Sequence, residues 1–296
     1  MSDIVSIQSP AGASRTYTLQ RLELEFSPAK WHWDRETTLR HHATNGVQLV
    51  ERLRPHLDVR YGDGPLQTLD IFPASRPNAP CCVLIHGGFW RISDKSAMHF
   101  AVQHFNESGA ACFVINFDLC PQVSVDRISA QVTEALAWIS EHAAHYGASG
   151  DRLFILGHAT GAHLAAMAIS ADQDSRQHRI VEHIRGALLL SGLYNLTAIP
   201  KLDVNWIVGL DDRTAAAQSP VFRTWQKHTR VIIAAAAEET AEFIAQSKEA
   251  CDVARSHGCA VDESLVAGHG HFTILDILAE RRHPITSQFI DMMQAR

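Results

Sequence analysis

No apolar run in these 296 residues approaches the roughly 20 that a membrane-spanning helix needs. No basic run offsets the formal net charge of −6, which argues against nucleic acid and anionic membrane surfaces as partners. The opening stretch MSDIVSIQSPAGASRTYTLQ has neither a charged n-region nor an apolar h-region, so no signal peptide is expected there. The six cysteines, at 81, 82, 112, 120, 251 and 259, contain no C-x-x-C pair. Cys81, Cys82 and Cys112 fall in apolar runs, where a thiol serves as a small buried hydrophobe. These absences point to a cytoplasmic protein with free thiols. Internal repeats and low-complexity segments are also missing.

What is present is ordinary for a globular chain: 46% hydrophobic and 20% charged residues, enough to bury a large core. The length allows two average domains, or one large domain of mixed strands and helices. Residues 1 to about 50 show little periodicity and include Trp31 and Trp33 around His32. They read as an N-terminal arm packing on the main body, with one or two short helices near 35–52, and they leave room for a homodimer contact. HLDVRYG and LQTLDIFPA, separated by turn residues, read as an antiparallel strand pair.

From CCVLIHG (81–87) onward, strands alternate with helices. Strands are expected at 111–118, 152–158, 184–193, 230–237 and 259–266. Helices are expected at 95–108, 125–145, from 160, at 240–257 and at 272–295, with Pro284 interrupting the last. The stripe Ile128, Val132, Ala135, Leu136 and Ile139 supports the second of these. Such alternation implies right-handed crossovers and a mostly parallel central sheet with helices on both faces. Residues 51–296 then form a single domain, and the stretch at about 194–228, which interrupts the alternation, is the candidate lid.

Three segments carry chemistry. Gly157-His158-Ala159-Thr160-Gly161 lies between a strand and an alanine-rich helix. G-x-S-x-G at such a junction is the nucleophile elbow, whose central residue is held strained and exposed above the sheet. Here the central position is Ala159, which has no side-chain oxygen. His86-Gly87-Gly88-Phe89-Trp90 follows a buried strand, where an H-G-G loop turns backbone N–H groups toward a developing oxyanion. The expected donors in this Gly87–Phe89 loop are the N–H groups of Gly88 and Phe89, joined by that of Thr160. Third, the chain order serine, acid, histidine of α/β-hydrolases asks for a carboxylate after the strand at 230–237 and a histidine after the last strand. Glu238 and Glu239 meet the first requirement, His269 and His271 the second. Within each pair the residues alone leave the choice open: a glutamate there can cap the next helix, and a histidine can be a loop residue. His269 and His271 lack a third ligand at suitable spacing, so neither a metal nor another cofactor is expected.

With these segments together, HGGFW followed by Asp94-Lys95-Ser96, NFDLCPQVSVDRISAQVTEALAWI, GDRLFILGHATGAHLAAM, GALLLSGLYNL, EETAEFIAQS and HGHF, the chain resembles the kynurenine formamidase (arylformamidase) branch of the α/β-hydrolases. FSPAKW and YGDGPLQTLDIF add to the likeness, which spans roughly residues 25 to 280. The resemblance implies Glu239 as the acid and His271 as the histidine, and it places the family's serine at Ala159. It also marks Thr160 as a departure, alanine being more usual there. The metal-binding H-x-G-T-H-x-D-x-P element of another formamidase type is absent. The implied reaction is hydrolysis of a formyl-like short acyl aryl amide, or a related aryl ester, with a small aromatic amide or ester as partner. From side-chain size, Phe89 and Trp90 are candidates to narrow the acyl side of the pocket, Trp90 alternatively packing as core, and Tyr194 and Trp206 are expected to form its aromatic side.

Three explanations of Ala159 compete: an engineered exchange of serine for alanine, a natural loss of catalysis leaving a ligand-binding or interaction protein, or another nucleophile. Thr160, one residue along, is expected to point away from the elbow apex, which disfavours the third. Elbow strain kept beside an intact His271 and Glu239 favours the first over the second. On either, the chain as written is expected to be inactive.

Overall fold

The computed structural model describes residues 4–28, 35–170 and 178–295. Trp31, His32 and Trp33 lie outside them. The chain opens with a hairpin of β1 (Ile4–Gln8) and β2 (Ser14–Thr18), then α1 (Leu19–Glu25) and α2 (Arg35–Leu53). β3 (His56–Arg60) and β4 (Thr68–Phe72) lead into β5 (Ala79–Ile85), α3 (Val102–Glu107), β6 (Ala111–Ile115), α4 (Val125–His142), β7 (Ala148–His158) and α5 (Thr160–Ile169). There follow α6 (His178–Val181), β8 (Ile184–Leu190), α7 (Asn205–Val208), α8 (Asp212–Ala217), β9 (Arg230–Ala236), α9 (Ala241–Ser256), β10 (Val261–Val266) and α10 (Pro284–Gln294).

Eight strands form one sheet in the order β10-β9-β8-β7-β5-β6-β4-β3, with β1 and β2 as a separate pair. β3, β4 and β6 are joined antiparallel, and the rest of the sheet is parallel. Inner strands such as β5 and β6 read as unbroken apolar runs because both faces are covered, whereas the parallel edge strand β10, VDESLV, is polar and only partly buried. Along β5, Cys81, Val83 and Ile85 belong to one core with α4, α5 and α9, while Cys82 and Leu84 belong to the opposite core with α2, α3 and α10. Side chains that alternate across a strand fill both layers at once. All six cysteines are free and buried. Among the described residues no helix is long and apolar enough to cross a membrane.

Some elements differ from expectation. The N-terminal stretch holds the β1–β2 hairpin, and the region near 35–52 is one helix of 19 residues. The hairpin is held by polar anchoring more than by apolar periodicity. Arg15 bonds both Glu242 oxygens at 2.9 Å and pairs with Glu249 at 2.9 Å, while the Tyr17 hydroxyl donates to Glu242 at 2.8 Å. The C-terminal helical stretch is divided into a 3₁₀ segment, Thr273–Ala279, and α10. Pro284 begins α10 at a position where its missing N–H is no loss. The stretch 194–228 folds into short helical turns, of which Leu202 and Val204 reach the cavity described next.

Candidate active site

Ala159 is the one residue between β7 and α5, with φ 53° and ψ −120°. For a residue other than glycine this conformation costs about 1–3 kcal/mol. The flanking glycines allow the sharp turn by permitting close backbone approach. A Cβ on Gly157 would lie 2.3 Å from the Gly161 carbonyl oxygen, and one on Gly161 would lie 2.2 Å from that of Ile85. The turn is pinned by Ala159 N–H to Leu190 O at 2.9 Å and His163 N–H to Ala159 O at 3.1 Å. Strand, turn and helix hold the elbow geometry although no hydroxyl is present.

The loop after β5 is braced from several sides. His86, buried and stacked on Phe117, bonds the Gly87 carbonyl at 2.7 Å and the Asn116 amide at 3.0 Å. Burial holds its pKa below the usual histidine value. Gly88 has φ +114°, and Phe89 and Trp90 also have positive φ. A Cβ at Gly88 would lie 2.0 Å from Ile92 O, so this position admits only glycine. The Trp90 indole donates to His163 Nδ1 at 3.2 Å, and His163 Nε2 donates to Gln218 O at 2.8 Å. Accepting at Nδ1 requires neutral imidazole, and burial depresses the His163 pKa to about 4.

After β9 and β10 the chain brings Glu239 and His271 together. The Glu239 carboxylate accepts from His271 Nδ1, from the Ser191 hydroxyl at 2.6 Å and from the Ala236 N–H at 3.1 Å. Its side chain is fully buried. Glu238 is exposed, and its N–H donates to His269 O at 3.0 Å. His269 bonds the Thr273 carbonyl at 2.8 Å, bracing the turn. His158 Nε2 donates to His271 O at 2.7 Å, tying the histidine loop to the elbow. Burial, reinforced by His271, pushes the His158 pKa well below its ordinary value.

These segments meet on one cavity of about 350 Å³. Gly87, Gly88, Phe89, Ala159, Thr160 and His271 line it. Its apolar wall includes Phe26, Leu193, Phe243 and Phe272, with Arg35 and Arg91 also on the lining. The Phe243 ring stands edge-on to His271, with centroids 4.8 Å apart.

Three aromatic expectations are corrected. Trp90 is buried against His163 and does not line the cavity, because its indole serves to anchor the loop. Tyr194 is buried in the core beyond β8, and Trp206 is 83% exposed; neither lines the cavity. Phe243, Phe26 and Phe272 supply aromatic surface instead, from α9, the end of α1 and the histidine loop. Thr160 is corrected too: it faces the cavity, and its hydroxyl accepts the Phe89 N–H at 3.1 Å.

Sequence reasoning missed Ser191 and the bracing bond of His158. Ser191 follows β8 with φ +48°, at the sheet edge that carries the other loops, and only the fold shows that it reaches Glu239. Phe26 joins the site across a long separation in sequence, which no local pattern announces.

The BD-FAE family model matches residues 69–234. The chain is similar to a kynurenine formamidase of Drosophila melanogaster, at 30% identity over 78% of this chain and 80% of that protein. It is similar to one of Danio rerio at 27% identity over 94% and 98%. Among solved structures, a Silicibacter protein assigned as a thioesterase superposes with TM-score 0.82 at 20% identity, covering 93% of this chain and 99% of that one. A Pyrobaculum calidifontis esterase gives 0.68 at 15% identity, covering 93% and 97%.

Proposed function

The chain belongs to the BD-FAE and kynurenine formamidase families of α/β-hydrolases, and on that premise we propose that its cavity binds a short acyl aryl amide or related aryl ester at a hydrolytic site with alanine at the nucleophile position. The relatives are amide and ester hydrolases by name, which fits an ester- or amide-hydrolase scaffold. The observation that carries the reading is the Glu239–His271 pair, anchored by Ser191, on the same cavity as an elbow strained at Ala159.

In the intact reaction a serine at 159 attacks the acyl carbon as His271 takes its proton. With Nδ1 committed to Glu239, proton transfer falls to Nε2. Glu239 fixes the tautomer and steadies the imidazolium, while its bonds from Ser191 and Ala236 hold the carboxylate in place. The backbone N–H of Gly88 and that of Thr160 face the oxygen that becomes an oxyanion. The imidazolium then protonates the departing arylamine or phenol, and a water activated by His271 releases the acid. An arylamine leaves more readily than an alkylamine, so an esterase apparatus can cleave such an amide.

Without Oγ this sequence stops before its first bond. Loss of a serine nucleophile lowers kcat on the order of 10⁶-fold. Ligand binding does not depend on Oγ, so the chain as it stands is a binder of such compounds. The bond from Phe89 N–H to the Thr160 hydroxyl supports a second reading, in which the protein serves naturally as a ligand-binding member of the family.

One substitution tests the conclusion. Ala159→Ser is assayed on formanilide, acetanilide and phenyl acetate, with and without His271→Asn. A rate gain abolished by the second change supports the site. No gain on any of the three compounds refutes the hydrolytic reading and leaves the binding one.

A further inference from the structure

Resting on the reading of the His86–Phe89 loop as an oxyanion loop, we propose that Thr160 is a specificity- and rate-limiting plug: its hydroxyl occupies the Phe89 N–H that an oxyanion would otherwise use. Thr160 opens α5 directly after the elbow, is 2% exposed and lines the cavity. Its Oγ1 lies 3.1 Å from the Phe89 nitrogen as the acceptor of that N–H. A backbone nitrogen carries one proton, and oxyanion donors work at about 2.7–3.1 Å from the anionic oxygen. An oxygen already bonded at that distance therefore satisfies the donor and fills the space beside it.

The loop has little freedom to present Phe89 differently. Arg91 N–H and Ile92 N–H both bond the Gly88 carbonyl at 3.1 Å, Cys120 N–H bonds Trp90 O at 2.8 Å, and the Trp90 indole is tied to His163. His86 holds Gly87 from the other side. With the loop fixed at both ends, the hydroxyl has to leave before Phe89 N–H can serve an incoming anion. Ala159 and Thr160 thus remove two successive elements, the nucleophile and one oxyanion donor. The residual hole of Gly88 and Thr160 N–H suits neutral carbonyl ligands over tetrahedral anions. Serine at 159 alone consequently restores only part of the activity.

The test uses two readouts on the full chain, so that failure of the hydrolytic reading and failure of the plug are told apart. In the first, Ala159→Ser is compared with Ala159→Ser/Thr160→Ala and Ala159→Ser/Thr160→Ser on phenyl acetate. Thr160→Ala should raise kcat on the order of 10²-fold, the size of one oxyanion donor, with KM little changed. Thr160→Ser keeps the hydroxyl and should stay near the Ala159→Ser rate. Where Ala159→Ser shows His271-dependent turnover, an unchanged or lower rate with Thr160→Ala overturns the proposal, since the hydroxyl would then be neutral or a donor itself.

In the second, phenylphosphonate binding is measured by titration calorimetry in the chain that retains Ala159, where no turnover is needed. Thr160→Ala should tighten binding on the order of tenfold, as expected for one added hydrogen bond to a charged group, and Thr160→Ser should not. Equal affinities in all three proteins overturn the plug. Tightening without any His271-dependent turnover in the serine variants supports the plug and refutes the hydrolytic reading instead.

Discussion

Removing the Arg15 side chain should destabilise the protein and loosen the cavity together. Arg15 reaches from the β1–β2 hairpin to α9, where Glu242 is fully buried and Glu249 nearly so. Arg15→Ala strands two carboxylates that have lost their counter-charge. Breaking a buried ion pair by deleting one partner costs about 3–5 kcal/mol. The Arg15 side chain is itself 22% exposed, so water can enter the gap and the lower end, about 3 kcal/mol, applies. At roughly 2 °C per kcal/mol for a chain of this size, the melting temperature should fall by about 6 °C. The hairpin runs straight into α1, whose end supplies Phe26 to the cavity, so affinity for formanilide should weaken as well. The assay is differential scanning calorimetry of Arg15→Ala beside Arg40→Ala, whose ion pair with Glu36 is exposed on both sides. Arg40→Ala should melt within about 1 °C of the parent, as surface pairs contribute little. Adding Glu242→Gln and Glu249→Gln to Arg15→Ala should recover at least half of the loss. A melting temperature for Arg15→Ala within about 1 °C of the parent would refute the idea that this clasp holds the hairpin.

Acidification should weaken the fold below about pH 6.5, the ordinary histidine value. His163 is held neutral with a pKa of about 4, so the unfolded chain binds its proton first. Its share of stability is complete above pH 6.5, declines as pH falls, and is about 2 kcal/mol smaller at pH 5. His86 and His158, also depressed, act in the same direction. Urea unfolding at pH 7.5 and pH 5 measures this, and His163→Gln should flatten the dependence; an unchanged slope counts against a neutral His163. Trp90→Phe leaves His163 Nδ1 without its donor and should lower stability by about 1–3 kcal/mol in urea unfolding. Trp206→Ala, at an exposed position, should change stability by less than about 0.5 kcal/mol and leave formanilide affinity unaltered in calorimetry. In the Ala159→Ser protein, Glu239→Gln should reduce kcat on phenyl acetate by about 10⁴-fold, as loss of the tautomer-fixing acid does in related triads.

The layered sheet was legible because its inner strands include unbroken apolar runs such as CCVLI and ACFVI, set between helices with periodic stripes. The elbow and the H-G-G loop were legible for a different reason: close backbone approach admits only glycine at Gly157, Gly161 and Gly88, so geometry leaves a mark in residue type. The hairpin of β1 and β2 was illegible because its attachment depends on Arg15 and Tyr17 meeting Glu242, more than 200 positions away. Side-chain direction was equally hidden. Trp90 beside the oxyanion loop suggested a pocket wall, yet its indole N–H found a buried acceptor in His163, which fixed it in the core. Thr160 was expected to point away and instead bonds Phe89, a choice made by a rotamer within a turn that the sequence only outlines. Size and polarity narrow what a residue can do, while long-range partners decide which of those options it takes.

The most direct measurement of the central claim is the intact mass of Ala159→Ser after exposure to an aryl fluorophosphonate. The elbow and the Glu239–His271 pair should activate the new hydroxyl, giving one covalent adduct at position 159 that peptide mapping locates. Adding His271→Asn should abolish the adduct, and the unaltered chain with Ala159 should acquire none. An unmodified Ala159→Ser protein, or an adduct that forms equally well without His271, would contradict the assignment of this site.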